Sequence, residues 1–246
     1  MSGAFCSYSN LNKCFNIDRL PKIGQRIYNR WYLKQSVEVP MNERFFLMPV
    51  EKQEKIINAG YAVFANNSYK KSPMSEIADA AGISKSLLFY YFRNKRGLYL
   101  FLWNKCAEIT VEYMTTYGCY EKEELFEMMY SGLRAKMHIM RKYPDMARFV
   151  VKAFYEKDPA VCQDIQESYR QAIDFKANAS LLKLDPDKFI PGLDLQMMYR
   201  DMYWASEGYL WEMLRNGELD MDQVEKDFLK MVDFWKSVYL ARSVLE

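Results

Sequence analysis

The stretch from Ser84 to Arg96 concentrates the residue types that grip a nucleic acid. Ser84, Lys85 and Ser86 are short or flexible donors able to reach base edges. Tyr90, Arg93, Asn94, Lys95 and Arg96 follow, a phenol and a cluster of cations suited to holding phosphate. Elsewhere the usual catalytic sets are missing. The single histidine, His138, stands between Met137 and Ile139, whereas zinc hydrolases, di-iron bundles and facial-triad oxygenases need two or more at set spacings. The chain has no GxxxxGK, GxGxxG or GxSxG motif. Its five cysteines (Cys6, Cys14, Cys106, Cys119, Cys162) are scattered without a CxxC pair. The expectation is therefore a protein with no catalytic residues, no metal site and no cofactor. Most enzyme classes with a readable signature are thereby excluded, whereas enzymes that use scattered carboxylates are not.

Charge is distributed unevenly behind a net +2. Residues 1–40 and residues 41–98 each carry net +4, and residues 99–246 carry net −6. A basic N-terminal part joined to an acidic remainder suits a polyanion met by one end only. No uncharged apolar run approaches the ~18–20 residues of a membrane span. The first 16 residues lack a charged start followed by an apolar stretch, so the expected compartment is the cytoplasm, without membrane contact.

The elements that must position these residues are helical. With only 10 Gly and 8 Pro in 246 residues, the turns a many-stranded protein needs are scarce. Residues 1–48 read as a leader expected to be poorly ordered, although Lys22, Arg26, Arg30 and Lys34 recur every four residues beside Leu20, Ile23, Ile27 and Trp31. From Pro49, Ile56, Ile57, Ala59, Gly60, Val63 and Phe64 form a helical apolar stripe, closed at Asn66-Asn67-Ser68. Ser72-Pro73 reads as an N-cap and first helical position, with Met74, Ile77, Ala78 and Ala81 turned inward. Gly82 supplies a sharp turn, and Ser84 caps a third helix with Leu87, Leu88, Tyr91 and Phe92 on its apolar side. Two short helices about a glycine turn, packed on a preceding helix, form a helix-turn-helix over residues 49–98.

The string IADAAGISKSLLFYYFRNKRGLY, Ile77 to Tyr99, resembles the DNA-binding segment of the tetracycline-repressor (TetR) family, which shows an I-A-x-x-A-G-V-S-K-x-x-L-Y-x-Y-F-x-x-K-x-x-L pattern. Ile77, Ala78, Ala81, Gly82, Ser84, Lys85, Leu88, Tyr91, Phe92, Lys95 and Leu98 match as they stand. The resemblance spans about fifty residues and departs at Phe89, where the family carries an aromatic hydroxyl, and at Ser68, where it carries glycine. The resemblance implies backbone contacts from Ser72 and Ser75 at the head of the second helix. It implies base contacts near Ser84 from Lys85 and Ser86, and phosphate contacts from Tyr90, Tyr91 and Lys95.

Residues 99–246 are expected to form an all-α effector-binding and dimerisation domain, with helices at about 98–117, 121–142, 144–155, 158–183, 194–216 and 220–244. The candidate walls of a cavity for an apolar or aromatic small molecule are Trp103, Tyr113, Phe126, Tyr130, Met137, Phe154, Trp204 and Trp211, with Glu108 and Glu207 as polar anchors. For most of these residues core packing is the better account, since Met and aromatics at helical spacing fill helical bundles. Arg134, Lys136, Arg141 and Lys142 read as solvated faces. The helices at 194–216 and 220–244, the second with Trp235 and Val238 on its stripe, are apolar nearly all round. They therefore need a second cover, which the resemblance identifies as the partner in a homodimer. The resulting expectation is a DNA-binding transcriptional regulator, a ligand-released repressor on a palindromic double-stranded operator. The alternative is an all-helical enzyme or carrier of apolar molecules whose basic end is incidental.

Overall fold

The structure is a computed structural model that describes residues 39, 41–181, 184–215 and 220–245. The basic repeat at 22–34 lies outside the described residues. Among those described, the regular elements are helices, and one isolated antiparallel bridge joins Phe189 to Leu240.

Helix α1 (Val50–Asn66) buries the expected stripe of Ile56, Ala59, Gly60, Val63 and Phe64. It ends at Asn67 in an extended conformation instead of a left-handed turn. Helix α2 (Met74–Ala81) begins one residue later than its sequence suggests. Pro73 is the N-cap, and the Ser72 hydroxyl makes no cap bond to α2. Gly82 closes α2 at φ 69°, a left-handed conformation that costs a side-chain-bearing residue energy. Ser84 then caps α3 (Lys85–Phe92), its Oγ accepting the Leu87 amide at 3.2 Å. Helix α4 (Lys95–Thr116) starts after Asn94, whose side chain accepts the Gly97 amide at 2.8 Å. A Cβ at Gly97 would lie 2.3 Å from the Phe92 carbonyl oxygen, so the α3–α4 junction admits only glycine there.

The remaining body comprises α5 (Leu125–Lys142), α6 (Pro144–Tyr155), α7 (Cys162–Leu181), α8 (Leu195–Arg215) and α9 (Met221–Tyr239), followed by a short turn of helix at Arg242–Leu245. Asp220 caps α9 by accepting the Asp222 and Gln223 amides, and Asp194 accepts those of Gln196 and Met197.

Two cores organise these helices. The first gathers α1–α3, the first half of α4 and parts of α5, α6 and α7, including Phe64, Phe92, Leu98, Tyr99, Phe149 and Ile165. The second joins α5, α8 and α9 through Phe126, Met137, Met202, Phe228 and Trp235. The helix-turn-helix thus shares its apolar interior with α4 and α6, and α1 packs on both α2 and α6. Part of the expected leader belongs to this core. Asn42–Met48 fold against it around a 3-10 helix at Glu43–Leu47. Met41 and Phe45 are buried, and the Phe45 ring lies 4.9 Å from Phe92 and 5.7 Å from Tyr91. The boundary at residue 48 therefore falls too late, because two buried side chains precede it.

Candidate nucleic-acid interface

The turn at Gly82 sets α3 across α2 and leaves one side of α3 uncovered. Lys85, Ser86 and Tyr90 are exposed there, Tyr90 at 45%, and Ser75 is exposed at the head of α2. The Lys85 ammonium lies 5.9 Å from the Phe89 ring, which holds its stem along the helix while its charge faces solvent. Leu88, Tyr91 and Phe92 form the opposite, buried side. A short helix with serines and a lysine at its exposed N-terminus, backed by an apolar face on a rigid core, can enter a major groove and offer donors to base edges.

Three residues expected at this surface are placed otherwise. The Ser72 side chain is buried and its hydroxyl donates to the Ser68 carbonyl at 2.9 Å, so it is used inside the protein. Tyr91 is buried against Phe45, and its carbonyl accepts the Asn42 amide at 2.8 Å. The Lys95 ammonium donates to the carbonyls of Tyr69 and Lys70, each at 3.0 Å, which makes it a clamp on the α1–α2 turn. Two exposed cations that the motif comparison passed over, Lys70 and Lys71, sit on that turn immediately before α2. Their signal was two adjacent lysines in the sequence, exposed on the turn that leads into α2.

Residues 56–101 match the profile of the family described as bacterial regulatory proteins, tetR family. This span holds most of α1, all of α2 and α3, and the first turns of α4, the elements that build the exposed surface. Residues 56–101 carry the tetR-family DNA-binding region. With that region and its likeness to curated regulators, the chain is a DNA-binding transcriptional regulator and not an enzyme. It is 22% identical over 147 residues to the HTH-type transcriptional regulator RutR of Escherichia coli K12, covering 56% of this chain and 68% of that one. Among solved structures it resembles a TetR-family transcriptional regulator from Chloroflexus aurantiacus, with a TM-score of 0.59 and 19% identity over 82% of this chain and 99% of the other. It also resembles the fatty acid degradation regulator FadR from Bacillus halodurans, with a TM-score of 0.61 and 15% identity over 73% and 96%.

The residues expected to wall an effector cavity fall into separate groups. Trp103 is buried in the first core with its indole N–H donating to Ser168 at 3.2 Å, and the buried Glu108 pairs with Lys105 at 2.6 Å. Tyr113 faces the outer side of α4 and α5, accepting from Lys142 at 3.0 Å beside the His138 ring. Phe126 and Met137 fill the second core, and the Tyr130 hydroxyl donates to Glu225 on α9 at 2.7 Å. Phe154 and Trp211 meet face to face, with Tyr169 4.7 Å from Phe154. Trp204 is 55% exposed on the same side of α8 as Met197 and Gly208, so it walls no interior cavity.

Lys136, read from sequence as solvated, instead turns inward from α5 and forms an ion pair with Glu207 of α8. The Glu207 carboxylate also accepts the Tyr169 hydroxyl at 3.4 Å. Burial, reinforced by the Glu207 charge, holds the Tyr203 phenol well above its ordinary range, so it remains a neutral donor. Glu207 therefore anchors a polar knot among aromatic rings. A separate open cavity of about 500 Å³ at the α4–α5 turn is rimmed by Glu121, Glu123, Glu124, Asp185 and Lys188 and lacks the expected aromatic wall. Among the described residues, no group of His, Cys, Asp or Glu is placed to hold a metal ion. Nor is any described helix long and apolar enough to cross a membrane.

Proposed function

We propose that this chain is a dimeric, cytoplasmic repressor that reads a palindromic operator and releases it when a largely apolar or aromatic small molecule binds residues 99–246. The observation that carries the dimer is an uncovered apolar face on α8 and α9. Met197, Trp204, Phe234 and Val238 are all exposed in the single chain, Phe234 at 61%. A Cβ added at Gly208 would touch nothing within 4 Å, which leaves room for another helix to approach closely. Large apolar side chains on neighbouring terminal helices favour burial against a second copy by roughly 25 cal/mol per Å² removed from water. Two copies joined there present two α3 helices, and their symmetry calls for a palindromic site.

Under this reading DNA is bound by Ser75, Ser84, Lys85, Ser86, Tyr90 and the added Lys70 and Lys71 of the 41–98 unit. The effector meets the half-buried group of Phe154, Tyr169, Glu207 and Trp211. Relatives support ligand control in outline: FadR from Bacillus subtilis was solved with stearoyl-CoA, and SmeT is the repressor of a Stenotrophomonas maltophilia efflux pump. Release follows from linkage, since a ligand that weakens DNA binding is itself weakened by DNA to the same factor. The test is to recover genomic fragments bound by the protein and screen metabolites for their release. A protein that sediments as a monomer at micromolar concentration, or whose fragments no small molecule releases, would refute the respective half of the proposal.

A further inference from the structure

Two consecutive cations at the head of α4 grip different segments. Lys95 holds the Tyr69 and Lys70 carbonyls on the α1–α2 turn and lies 5.3 Å from the Tyr69 ring. Arg96 turns toward the α6–α7 connection, donating from Nε to the Ala160 carbonyl at 2.8 Å and from Nη2 to Asp164 at 2.6 Å. Glu156 closes the triangle. One of its oxygens accepts the Tyr69 amide at 2.7 Å, across 87 positions of sequence. The other accepts the amides of Lys157 and Asp158 at 2.9 and 3.1 Å. Beneath them the buried Tyr69 ring stands edge-on to Tyr99 at 5.1 Å.

The turn held by these bonds carries the exposed Lys70 and Lys71 and leads into Ser75 at the head of α2. Lysines on a turn fixed at both its carbonyls and an amide present their charge at a defined place, and a defined place is what a phosphate contact requires. We propose that Glu156 is a positioning residue for DNA binding, acting through the Tyr69 amide to set Lys70 and Lys71 against backbone phosphates. The Arg96–Asp164 pair ties that setting to α7. This inference rests on the DNA-binding reading of the helix-turn-helix face. Glu156 follows Phe154 by two residues, and Phe154 stacks on Trp211, so a displacement at the end of α6 reaches the lysine-bearing turn directly.

The experiment compares Glu156→Ala, the Lys70→Ala/Lys71→Ala pair and the triple variant. Each is titrated, at several salt concentrations, with the duplex that the parent selects most tightly from a random-sequence library. Glu156→Ala and the lysine pair are each expected to weaken binding about tenfold and to lower the salt slope, by about 0.9 for every phosphate no longer neutralised. The triple variant should match the lysine pair, because Glu156 acts through those lysines. Glu156→Gln keeps an oxygen for the Tyr69 amide and should keep the parent's slope. A residue that served stability alone would lower the melting temperature and leave the slope unchanged. An unchanged slope in Glu156→Ala, or additive losses in the triple variant, would overturn the proposal. If Glu156→Ala does not fold, Glu156→Asp, with its shortened reach, takes its place, and its slope and its additivity with the lysine pair decide in the same way. A parent that selects no duplex would instead remove the DNA-binding reading itself, a distinguishable outcome.

Discussion

The Phe154 ring on α6 and the Trp211 ring on α8 stack with centroids 5.1 Å apart and planes 28° from parallel. Tyr155 and Tyr169 stand against the same indole at 5.8 and 6.4 Å. This cluster joins α6, which packs on the helix-turn-helix, to α8, which carries the uncovered apolar face. Trp211→Ala is expected to cost about 2–3 kcal/mol, below the range for a fully buried tryptophan because Trp211 is only half-buried. Urea unfolding monitored by circular dichroism measures it. A loss under about 0.5 kcal/mol, the scale of an ordinary surface substitution, would show that the stack contributes little to holding the two helices together.

Lys85 and Lys95 should behave differently under substitution. Lys85→Ala removes an exposed cation from the reading face and is expected to change the preferred base at one position, at about 1–3 kcal/mol of discrimination. Lys95→Ala removes the clamp on the Tyr69 and Lys70 carbonyls, so its melting temperature should fall together with its DNA affinity. Selection from a random library, run beside thermal unfolding, separates the two behaviours. Indistinguishable selected motifs from the parent and Lys85→Ala would rule out base reading by that residue.

On α9, adjacent positions have opposite fates. Phe234 is 61% exposed and Trp235 is 3% exposed, so charging the first attacks the interface and charging the second attacks the core. Phe234→Asp and Val238→Asp are expected to yield folded monomers with much reduced operator affinity. Trp235→Asp buries a carboxylate among Phe228 and its neighbours, costs several kcal/mol and leaves unfolded or molten chain. Sedimentation and near-ultraviolet circular dichroism distinguish these outcomes. A dimeric Phe234→Asp would place the interface elsewhere.

Truncation locates the N-terminal edge of the fold. Removal of residues 1–40 leaves Met41 and Phe45 in place and should preserve folding, whereas removal of residues 1–48 uncovers Tyr91 and Phe92. The longer deletion, or Phe45→Ala alone, is expected to cost about 3–5 kcal/mol in thermal or urea unfolding. Equal stability of the two truncated chains would contradict the packing of Phe45.

Alkaline pH should destabilise the first core. Burial pushes the Cys106 thiol up to about 12 from an ordinary value of 9.0, while the Tyr61 hydroxyl beside it is also raised by burial. Because the folded value is the higher one, the unfolded chain releases its proton first. The stability contributed is complete below pH 9 and is lost as pH rises from 9 toward 12. Urea midpoints measured across that range should fall, and Cys106→Ala should flatten the fall. A pH-independent midpoint would contradict the burial of the thiol.

The sequence by itself determined the local elements of the DNA-binding unit. The α1 stripe, the left-handed Gly82, the Ser84 cap and the apolar and polar sides of α3 follow from spacing and from backbone preferences that need no distant partner. It also determined that the chain is helical and that its last two helices hold more apolar surface than one chain covers. The fates of individual polar side chains were decided by tertiary structure. The resemblance implies DNA contacts from Ser72, Tyr91 and Lys95, yet their groups are used internally because Ser68, Phe45 and the Tyr69–Lys70 turn lie within reach in the fold. Lys136 found Glu207 across 71 positions, and Glu156 found the Tyr69 amide across 87. Periodicity reports which side of its own helix a residue occupies. It carries no information about which other helix lies opposite, and that opposing surface decides whether a charge is solvated, paired or turned to DNA.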